Sequence, residues 1–158
     1  MIKILFVCYG NICRSTMAEF VMKDKVAAAG LEREILVESA GTSDEEIGNP
    51  VYPGTRKVLA KRGIDCSGKY ARQMTRADYA NHDLLIGMER MNLAAMRRIC
   101  GGDPEGKIRR LLDYTDSPGE IDDPWYHNDF ERTYREVSAG CDALLDALKR
   151  ELGAAPTD

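Results

Sequence analysis

The chain has 158 residues, of which 44% are hydrophobic and 30% are charged, and its formal net charge is −4. This length fits one compact domain over residues 1–158, since a chain of this size buries roughly 70% of its unfolded surface. The composition excludes a disordered or fibrous chain, and no apolar run approaches the ~20 residues that a membrane span needs. The acidic balance argues against general binding of nucleic acids or anionic membranes.

The cysteine count bears on the compartment. Five cysteines are an odd number, which disfavours a disulfide framework and favours a reducing, cytoplasmic location. The first apolar stretch, Ile2–Val7, holds one lysine and is too short for the core of a secretory signal. One or more of the thiols is therefore expected to be free for chemistry.

The first half of the chain predicts two strand–helix pairs. A continuous apolar run with one interruption is typical of a buried strand over Ile2–Cys8. Ser15 is a residue type that caps helix N-termini, and Gly30 suits the end of that helix because glycine tolerates positive φ. A second strand and a second helix are predicted over Ile35–Ala40 and Thr55–Arg62.

The second half continues the alternation and ends in a long helix. Its predicted elements are a short helix capped by Thr75 and Asp78, strand Leu84–Met88, helix Glu89–Cys100, a weaker strand Lys107–Leu112 and an irregular loop Asp113–Asn128. The last helix has one apolar stripe at helical spacing, formed by Phe130, Tyr134, Val137, Cys141, Leu144, Leu148 and Leu152.

Alternating strands and helices predict an α/β fold with a mostly parallel sheet flanked by helices. Ligands of such sheets bind at the carboxyl ends of the strands. The loops after Val7, Ala40, Met88 and Leu112 are therefore the candidate site positions.

The first of these loops carries a cysteine and an arginine separated by five residues, Cys8 and Arg14. This spacing allows the loop to wrap around one tetrahedral anion, with backbone N–H groups and the N-terminus of the next helix pointing inward. Arg14 can hold two phosphate oxygens with its planar guanidinium. The same positive field favours the thiolate of Cys8, which is the nucleophilic form.

Spacing alone is weak support for this site, because Cys66 and Arg72 have the same separation. Cys66 follows no predicted strand and no capped helix begins at Arg72, so that pair is interpreted as a coincidence. Two segments have the G-x4-G-K spacing of a nucleotide loop, beginning at Gly63 and Gly101, but both lack the hydroxyl residue that would follow the lysine. The context of strand, turn and helix singles out Cys8.

The segment Val7–Ser15, continued by Met17-Ala18-Glu19, resembles the signature of the low-molecular-weight protein tyrosine phosphatases. The similarity extends over essentially the whole chain. Further segments resemble the family in the family's order: Ser39–Ser43, Ile47–Pro50, Ala71–Gln73 and Asp123–Tyr126. The resemblance implies a single domain with a four-stranded parallel sheet flanked by helices, with the phosphate-binding loop between the first strand and first helix.

The resemblance also implies the catalytic roles. Cys8 is the expected nucleophile that forms a phosphocysteine, and Arg14 stabilises the transition state. Six acidic residues crowd the loop before the last helix, and the residues alone do not choose among Asp113, Asp116, Glu120, Asp122, Asp123 and Asp129. The resemblance selects Asp123 as general acid and base, and Pro124 restricts it to extended conformations.

The other residues of the loop are expected to bind phosphate or support it. The predicted phosphate-binding segment is Tyr9, Gly10, Asn11, Ile12, Cys13, Arg14 and Ser15. Ser15 is expected either to donate a hydrogen bond to the Cys8 sulfur or to cap the helix. Asn11 suits a left-handed turn, and the resemblance implies that Ser39 holds it. Cys13 either packs beneath the loop or, as the resemblance implies, forms a reversible disulfide with Cys8.

The expected substrate cleft contains Trp125, Tyr126, Ile12 and Glu45. The aromatic pair is predicted to wall a cleft for a phenyl ring. Ile12 favours phosphotyrosine, since a small hydroxylated residue at this position resembles the protein-arginine phosphatases.

Several positions depart from the family pattern. Thr16 replaces a usual proline, and Lys69 replaces a common histidine that helps to fix the loop asparagine. Glu45 and Glu46 stand where some members have an aromatic residue that faces the substrate, and their charges disfavour acidic sequence directly around the phosphotyrosine.

The sequence disfavours two other functions. A thiol-coupled arsenate reductase needs closely spaced resolving cysteines, whereas Cys66, Cys100 and Cys141 stand 34 and 41 residues apart. A module that binds phosphotyrosine without turnover is disfavoured because all three catalytic residues are present. No cofactor is expected, and His82 and His127 lack metal-ligand spacing. The expected partner is a phosphotyrosine-containing protein or peptide, and the expected assembly is a monomer or weak dimer.

Overall fold

The computed structural model describes residues 1–154, so the last four residues of the domain expected over 1–158 lie outside the described part. In chain order the elements are β1 (Ile2–Cys8), α1 (Arg14–Ala28), β2 (Ile35–Gly41), α2 (Pro53–Ala60), α3 (Ala77–Asn81), β3 (Leu84–Gly87), α4 (Arg90–Cys100), β4 (Ile108–Arg110), a 3₁₀ turn (Leu111–Tyr114), α5 (Pro124–His127) and α6 (Phe130–Ala154). The predicted alternation of strands and helices is confirmed.

The four strands form one parallel sheet in the order β2-β1-β3-β4. Strand β1 lies in the centre, and its residues Ile4 to Val7 are fully buried. The predicted fold class is therefore confirmed. Because all strands run in the same direction, the loops after β1, β2 and β3 meet at one edge of the sheet.

Helices cover both faces of the sheet. The apolar stripe of α6 packs with α1 against one face, in a cluster that includes Phe6, Met17, Val137 and Leu144. The other face packs against α3 and α4. Within residues 1–154, the structure has no helix that is both long and apolar enough to cross a membrane.

Several boundaries differ from the predicted ones for local reasons. Helix α2 begins at Pro53, because proline is preorganised for the first position of a helix. The predicted strand Lys107–Leu112 is shorter, because the chain turns into the 3₁₀ segment at Leu111. Leu111 is fully buried and packs so closely on α6 that a Cβ added at Gly140 would lie 2.5 Å from it.

The loop expected over Asp113–Asn128 is not wholly irregular, because it contains the one-turn helix α5. The carboxylate of Asp123 accepts a hydrogen bond from the backbone N–H of Trp125, and Pro124 occupies the first helical position. Asp123 has the extended backbone (φ −71°, ψ 115°) that its position before a proline predicts.

Candidate active site

The loop between β1 and α1 turns its carbonyl groups outward. The carbonyl oxygens of Cys8 and Tyr9 accept from backbone N–H groups of the segment after β2, Ile12 O accepts from the N–H of Tyr52, and Cys13 O accepts from the Thr55 hydroxyl. Among the described residues, no acceptor is found for the backbone N–H groups of residues 9–15. These amide groups are the donors that an anion in the loop would need.

Arg14 is the first residue of α1, and the residue is almost completely buried. Its Nη1 atom donates to Ile121 O at 2.9 Å and lies 3.2 Å from Glu89 Oε1, while Nη2 lies 3.5 Å from Asp123 Oδ2. Burial lowers the pKa of Arg14, but the charges of Cys8, Glu89 and Asp123 outweigh burial and raise it. The guanidinium is therefore fixed in position and stays charged.

The expected capping role of Ser15 is wrong. Helix α1 starts at Arg14 with Cys13 as the N-cap residue, so Ser15 lies within the first turn. Its hydroxyl lies 3.0 Å from the Cys8 sulfur and accepts a hydrogen bond from Asn11 Nδ2. Because that donor occupies a lone pair of the hydroxyl, the Ser15 proton is free to point at the sulfur. The other expected role, a hydrogen bond to Cys8, fits this geometry.

Asn11 adopts the left-handed backbone predicted for it, with φ 59°. Its Nδ2 atom also donates to Ser39 Oγ, and its Oδ1 atom accepts from the backbone N–H of Arg72. Three polar contacts therefore hold this buried amide and fix the turn of the loop.

The buried carboxylate of Glu19 binds the side chain of Ser39. Ser39 Oγ donates to Glu19 Oε1, and the ammonium of Lys69 lies 3.4 Å from the same oxygen and donates to Ser39 O. Lys69, at the position of the family's histidine, thus supports Ser39 and Glu19, while the backbone of Arg72 holds Asn11. Sequence reasoning assigned no role to Glu19.

The end of β2 approaches the loop so closely that only glycine fits at Gly41. A Cβ atom added there would lie 2.8 Å from Tyr9 O, which is shorter than real Cβ contacts. This contact brings the segment after β2 against the phosphate loop.

Of the six acidic residues that the sequence offered as general acid, Asp123 is the one that lines the cleft at the loop. Together with Cys8, Ile12 and Arg14 it lines a cleft whose other lining residues are Tyr9, Gly10, Cys13, Glu45, Glu46, Trp125 and Tyr126. Asp122, its neighbour, instead pairs with Arg132 at 2.8 Å and does not line this cleft.

The mouth of the cleft carries the expected aromatic residues. Trp125 is 56% exposed, yet its ring packs edge-on against Tyr52 at 5.2 Å, and Tyr52 stacks on Phe130. Tyr126 is 86% exposed. Tyr9 also lines the cleft, and its hydroxyl donates to Glu45. Glu45, at the position where some members of the family have an aromatic residue, is thus bound to the aromatic side chain of Tyr9.

Comparison with known proteins agrees with this geometry. A family model described as low molecular weight phosphotyrosine protein phosphatase matches residues 3–154. The chain belongs to this family.

The relatives cover almost the full chain. The low molecular weight protein-tyrosine-phosphatase YfkJ of Bacillus subtilis is 39% identical over 153 residues, which are 96% of this chain and 98% of that protein. The crystal structure of YfkJ superposes with a TM-score of 0.92 over 96% of each chain. Vibrio vulnificus Wzb in complex with benzylphosphonate is 26% identical, with a TM-score of 0.81 over 92% of this chain and 98% of that one. The protein is a protein tyrosine phosphatase of the low-molecular-weight class, as its sequence motifs predict.

The remaining thiols of this phosphatase differ from Cys8 in their surroundings. Cys13 lines the cleft, and burial, followed by the charge of Cys8, raises the pKa of its thiol. Burial also raises the pKa of Cys66, Cys100 and Cys141, none of which lines the cleft. Nothing in this arrangement favours an arsenate reductase.

The residues of the coincidental Cys66–Arg72 spacing and of the G-x4-G-K segment that ends at Lys107 make contacts within the fold. Arg72 pairs with Asp78 at 3.0 Å, and Lys107 donates to Tyr79 O. Among residues 1–154, no group of three or more His, Cys, Asp or Glu side chains is arranged to hold a metal ion.

Sequence reasoning assigned no role to Glu89. The residue lies in one of the predicted site loops, directly after β3, but nothing in the sequence connects it with Arg14. Only the parallel pairing of β1 with β3 brings the two ends together.

Proposed function

We propose that this phosphatase hydrolyses phosphotyrosine in proteins through a phosphocysteine on Cys8, with Asp123 as general acid and base. The observation that carries the proposal is the phosphate loop itself. The carbonyl groups of Cys8, Tyr9, Ile12 and Cys13 accept from neighbouring segments, no acceptor for the loop amide groups is found within residues 1–154, and Cys8 and Arg14 line the same cleft. This arrangement suits a dianion whose charge spreads over three equatorial oxygens during transfer.

In the first step the Cys8 thiolate attacks phosphorus. The S–P bond forms, the bond from phosphorus to the tyrosyl oxygen breaks, and that oxygen takes its proton from Asp123. The Asp123 Oδ1 atom is held by the N–H of Trp125, which leaves Oδ2 near Arg14 and the cleft.

In the second step Asp123, now a carboxylate, removes a proton from water, and the water oxygen attacks phosphorus. The S–P bond breaks and its electron pair returns to the Cys8 sulfur. Ser15 Oγ, 3.0 Å from that sulfur, supports this step because a hydrogen bond stabilises the departing thiolate.

Positioning supplies most of the rate in this account. An ordinary cysteine is only ~3% thiolate at pH 7, so complete ionisation gains at most ~30-fold, and intrinsic nucleophilicity falls at the same time. Preorganised donors contribute about 10²–10³-fold each in comparable sites. The buried Arg14 and the loop amides fit that requirement.

The cleft favours an aryl phosphate. Ile12 is 9% exposed and offers an apolar floor, and Trp125 is held in place by Tyr52. Benzylphosphonate, which Vibrio vulnificus Wzb binds, combines an aromatic ring with a phosphorus oxyanion in the same way. Phosphotyrosine is therefore the favoured substrate over phosphoserine and phosphoarginine.

Kinetics on matched peptides with phosphotyrosine, phosphoserine or phosphoarginine test this substrate class. We expect kcat/KM to be highest for phosphotyrosine, and a preference for phosphoarginine would overturn the assignment.

Asp123→Asn tests the role of Asp123 as general acid. The rate of hydrolysis by this variant should fall most for substrates with poor leaving groups, whereas Asp122→Asn, the matched control, should keep the activity.

We also propose that peroxide converts Cys8 and Cys13 to a disulfide, with both thiols oxidised and two molecules of water formed. Cys13 supports this role because it lines the cleft beside Cys8. Thiol labelling after peroxide treatment should show loss of two thiols, and Cys13→Ala should lose protection against irreversible inactivation.

The five free cysteines support a reducing cytoplasmic location, where such thiols persist. We propose that the protein acts there as a monomer or weak dimer, without nucleic acid or membrane. Fractionation of cells and light scattering of the purified protein at increasing concentration test these two points.

A further inference from the structure

A groove rich in arginine lies beside the catalytic cleft, between α4 and the segment that begins with β4. Two adjoining depressions form it and share Arg97, Arg110 and Asp113. Arg90 lines one depression and Arg109 the other. We name this feature, formed by Arg90, Arg97, Arg109 and Arg110, the arginine groove.

The residues that line the arginine groove are net positive. Asp113 pairs with Arg110 at 2.9 Å and makes a second contact to its Nε atom at 3.0 Å. No carboxylate of residues 1–154 lies within 4.0 Å of the guanidinium groups of Arg90, Arg97 or Arg109. Outside the lining, Asp103 lies near Arg97, and the Glu120 carboxylate accepts from the backbone N–H of Arg90. The lining itself carries four positive charges and one negative charge, in a chain of net charge −4.

The arginine groove is continuous with the catalytic cleft. Arg90 directly follows Glu89, which contacts Arg14. Met91, the next residue, is 76% exposed and lines both the arginine groove and the depression that contains Arg14, Asp123 and Tyr126. Arg97 lies two helical turns beyond Arg90, about 10 Å along α4. A peptide bound at the cleft can therefore cross Met91 and reach the arginines within a few residues.

We propose that the arginine groove binds an acidic segment of the protein substrate whose phosphotyrosine occupies the cleft. The inference rests on the proposed function. Guanidinium groups bind carboxylates and phosphates through paired hydrogen bonds. Within the groove itself, Arg110 already contacts one carboxylate oxygen of Asp113 through both Nε and Nη2. The groove selects among phosphotyrosine proteins by the charge of a neighbouring segment.

The surroundings favour a protein ligand over a nucleic acid. Met91 offers an adaptable apolar contact, which suits a peptide side chain. The chain as a whole is acidic, and the one aromatic residue that lines the groove among residues 1–154, Tyr114, is partly buried against the core rather than exposed for stacking on bases.

The test compares two matched pairs of phosphotyrosine peptides. Each pair has one peptide with four glutamates and one with four glutamines from the third residue onward, before the phosphotyrosine in one pair and after it in the other. At low salt we expect kcat/KM of the wild type to be about fivefold to tenfold higher for the glutamate peptide of one pair than for its glutamine counterpart, through KM, as exposed ion pairs allow. The preference should disappear at ~0.5 M salt.

Arg97→Glu/Arg109→Glu should remove or invert the preference while hydrolysis of a small aryl phosphate stays at the wild-type rate. Arg33→Glu/Lys57→Glu, which reverses two exposed charges outside the groove, should keep the preference. Circular dichroism confirms that each variant is folded.

Equal kcat/KM for the glutamate and glutamine peptides in both pairs would overturn the proposal. A preference for glutamate that survives in Arg97→Glu/Arg109→Glu would overturn it as well. Saturable binding of single-stranded RNA that the same variant abolishes, without a peptide preference, would assign the groove to nucleic acid instead. Failure of the proposed function looks different, because then neither peptide nor the aryl phosphate is hydrolysed.

Discussion

The carboxylate of Glu89 lies 3.2 Å from the guanidinium of Arg14. Glu89 is the N-cap residue of α4 and Arg14 is the first residue of α1, so the two lie at the starts of the helices that follow the neighbouring parallel strands β3 and β1. Arg14 has 2% of its side chain exposed and Glu89 has 23%, so the pair joins a buried cation to the edge of the cleft. The Nη1 atom of Arg14, which contacts Glu89, also donates to Ile121 O. The Nη2 atom is then directed at Asp123.

Replacing Glu89 by glutamine should loosen this orientation. Glutamine keeps a hydrogen-bond acceptor but loses the charge, so we expect kcat on an aryl phosphate to fall about tenfold with little change in KM. Glu120→Gln is the matched control, because the one hydrogen bond of the Glu120 carboxylate within residues 1–154 is from the backbone N–H of Arg90. Wild-type kcat in Glu89→Gln would show that Ile121 and Asp123 position Arg14 without the charge of Glu89.

Ser39→Ala should weaken both the fold and the loop. It removes the donor to the buried Glu19 carboxylate and one acceptor of Asn11, which costs about 1–3 kcal/mol in the free energy of unfolding. Urea denaturation measures this change, and kcat should fall several-fold because Asn11 holds Ser15. Ser67→Ala, whose side chain is exposed and outside the network, should leave both quantities unchanged.

The ion pair of Arg72 and Asp78 should make stability depend on pH. Burial raises the pKa of Asp78, but hydrogen bonds from Arg72 and from the N–H of Thr75 outweigh burial and hold it below its usual value. The folded state therefore binds this proton less readily than the unfolded state, and the pair stabilises the fold above pH ~4. That stabilisation is lost as the pH falls through the lowered pKa of the folded state.

Asp78→Asn accordingly should cost about 1–2 kcal/mol at pH 7, and the difference from the wild type should shrink below pH ~4. Urea unfolding of both proteins from pH 3 to pH 7 measures it. A difference that stays constant over this range would contradict the assigned pair.

Ile12→Thr should change the preference for the phosphorylated residue. The substitution places a hydroxyl in the floor of the cleft and removes apolar contact with a phenyl ring. We expect kcat/KM for a phosphotyrosine peptide to fall about tenfold relative to phosphoarginine, since one or two methylene groups of contact are worth roughly 1–3 kcal/mol. Ile47→Thr, an exposed residue outside the cleft, is the control. An unchanged ratio in Ile12→Thr would remove Ile12 from substrate choice.

The sequence predicted the strands and the phosphate loop well, because both depend on local pattern. The apolar run Ile2–Cys8 has the predicted bounds, and the left-handed Asn11 follows from its residue type. The choice of Asp123 over five other acidic residues needed the family resemblance, since no local pattern separates it from Asp122.

Features that depend on packing were not predictable in this way. Ser15 has the residue type of a cap, but the helix begins one residue earlier and its hydroxyl is used at Cys8 and Asn11. Glu19 and Glu89 contact residues that are distant in sequence, and only the register of the parallel sheet brings Glu89 to Arg14. The need for glycine at position 41 likewise becomes clear only in the structure, where the end of β2 approaches Tyr9.

The most direct test of the account is the activity of Cys8→Ser on a small aryl phosphate in the presence of a chelator. The mechanism predicts that turnover is abolished while the folded variant still binds the phosphate, since Arg14 and the loop amides are unchanged. Undiminished turnover in Cys8→Ser would contradict it.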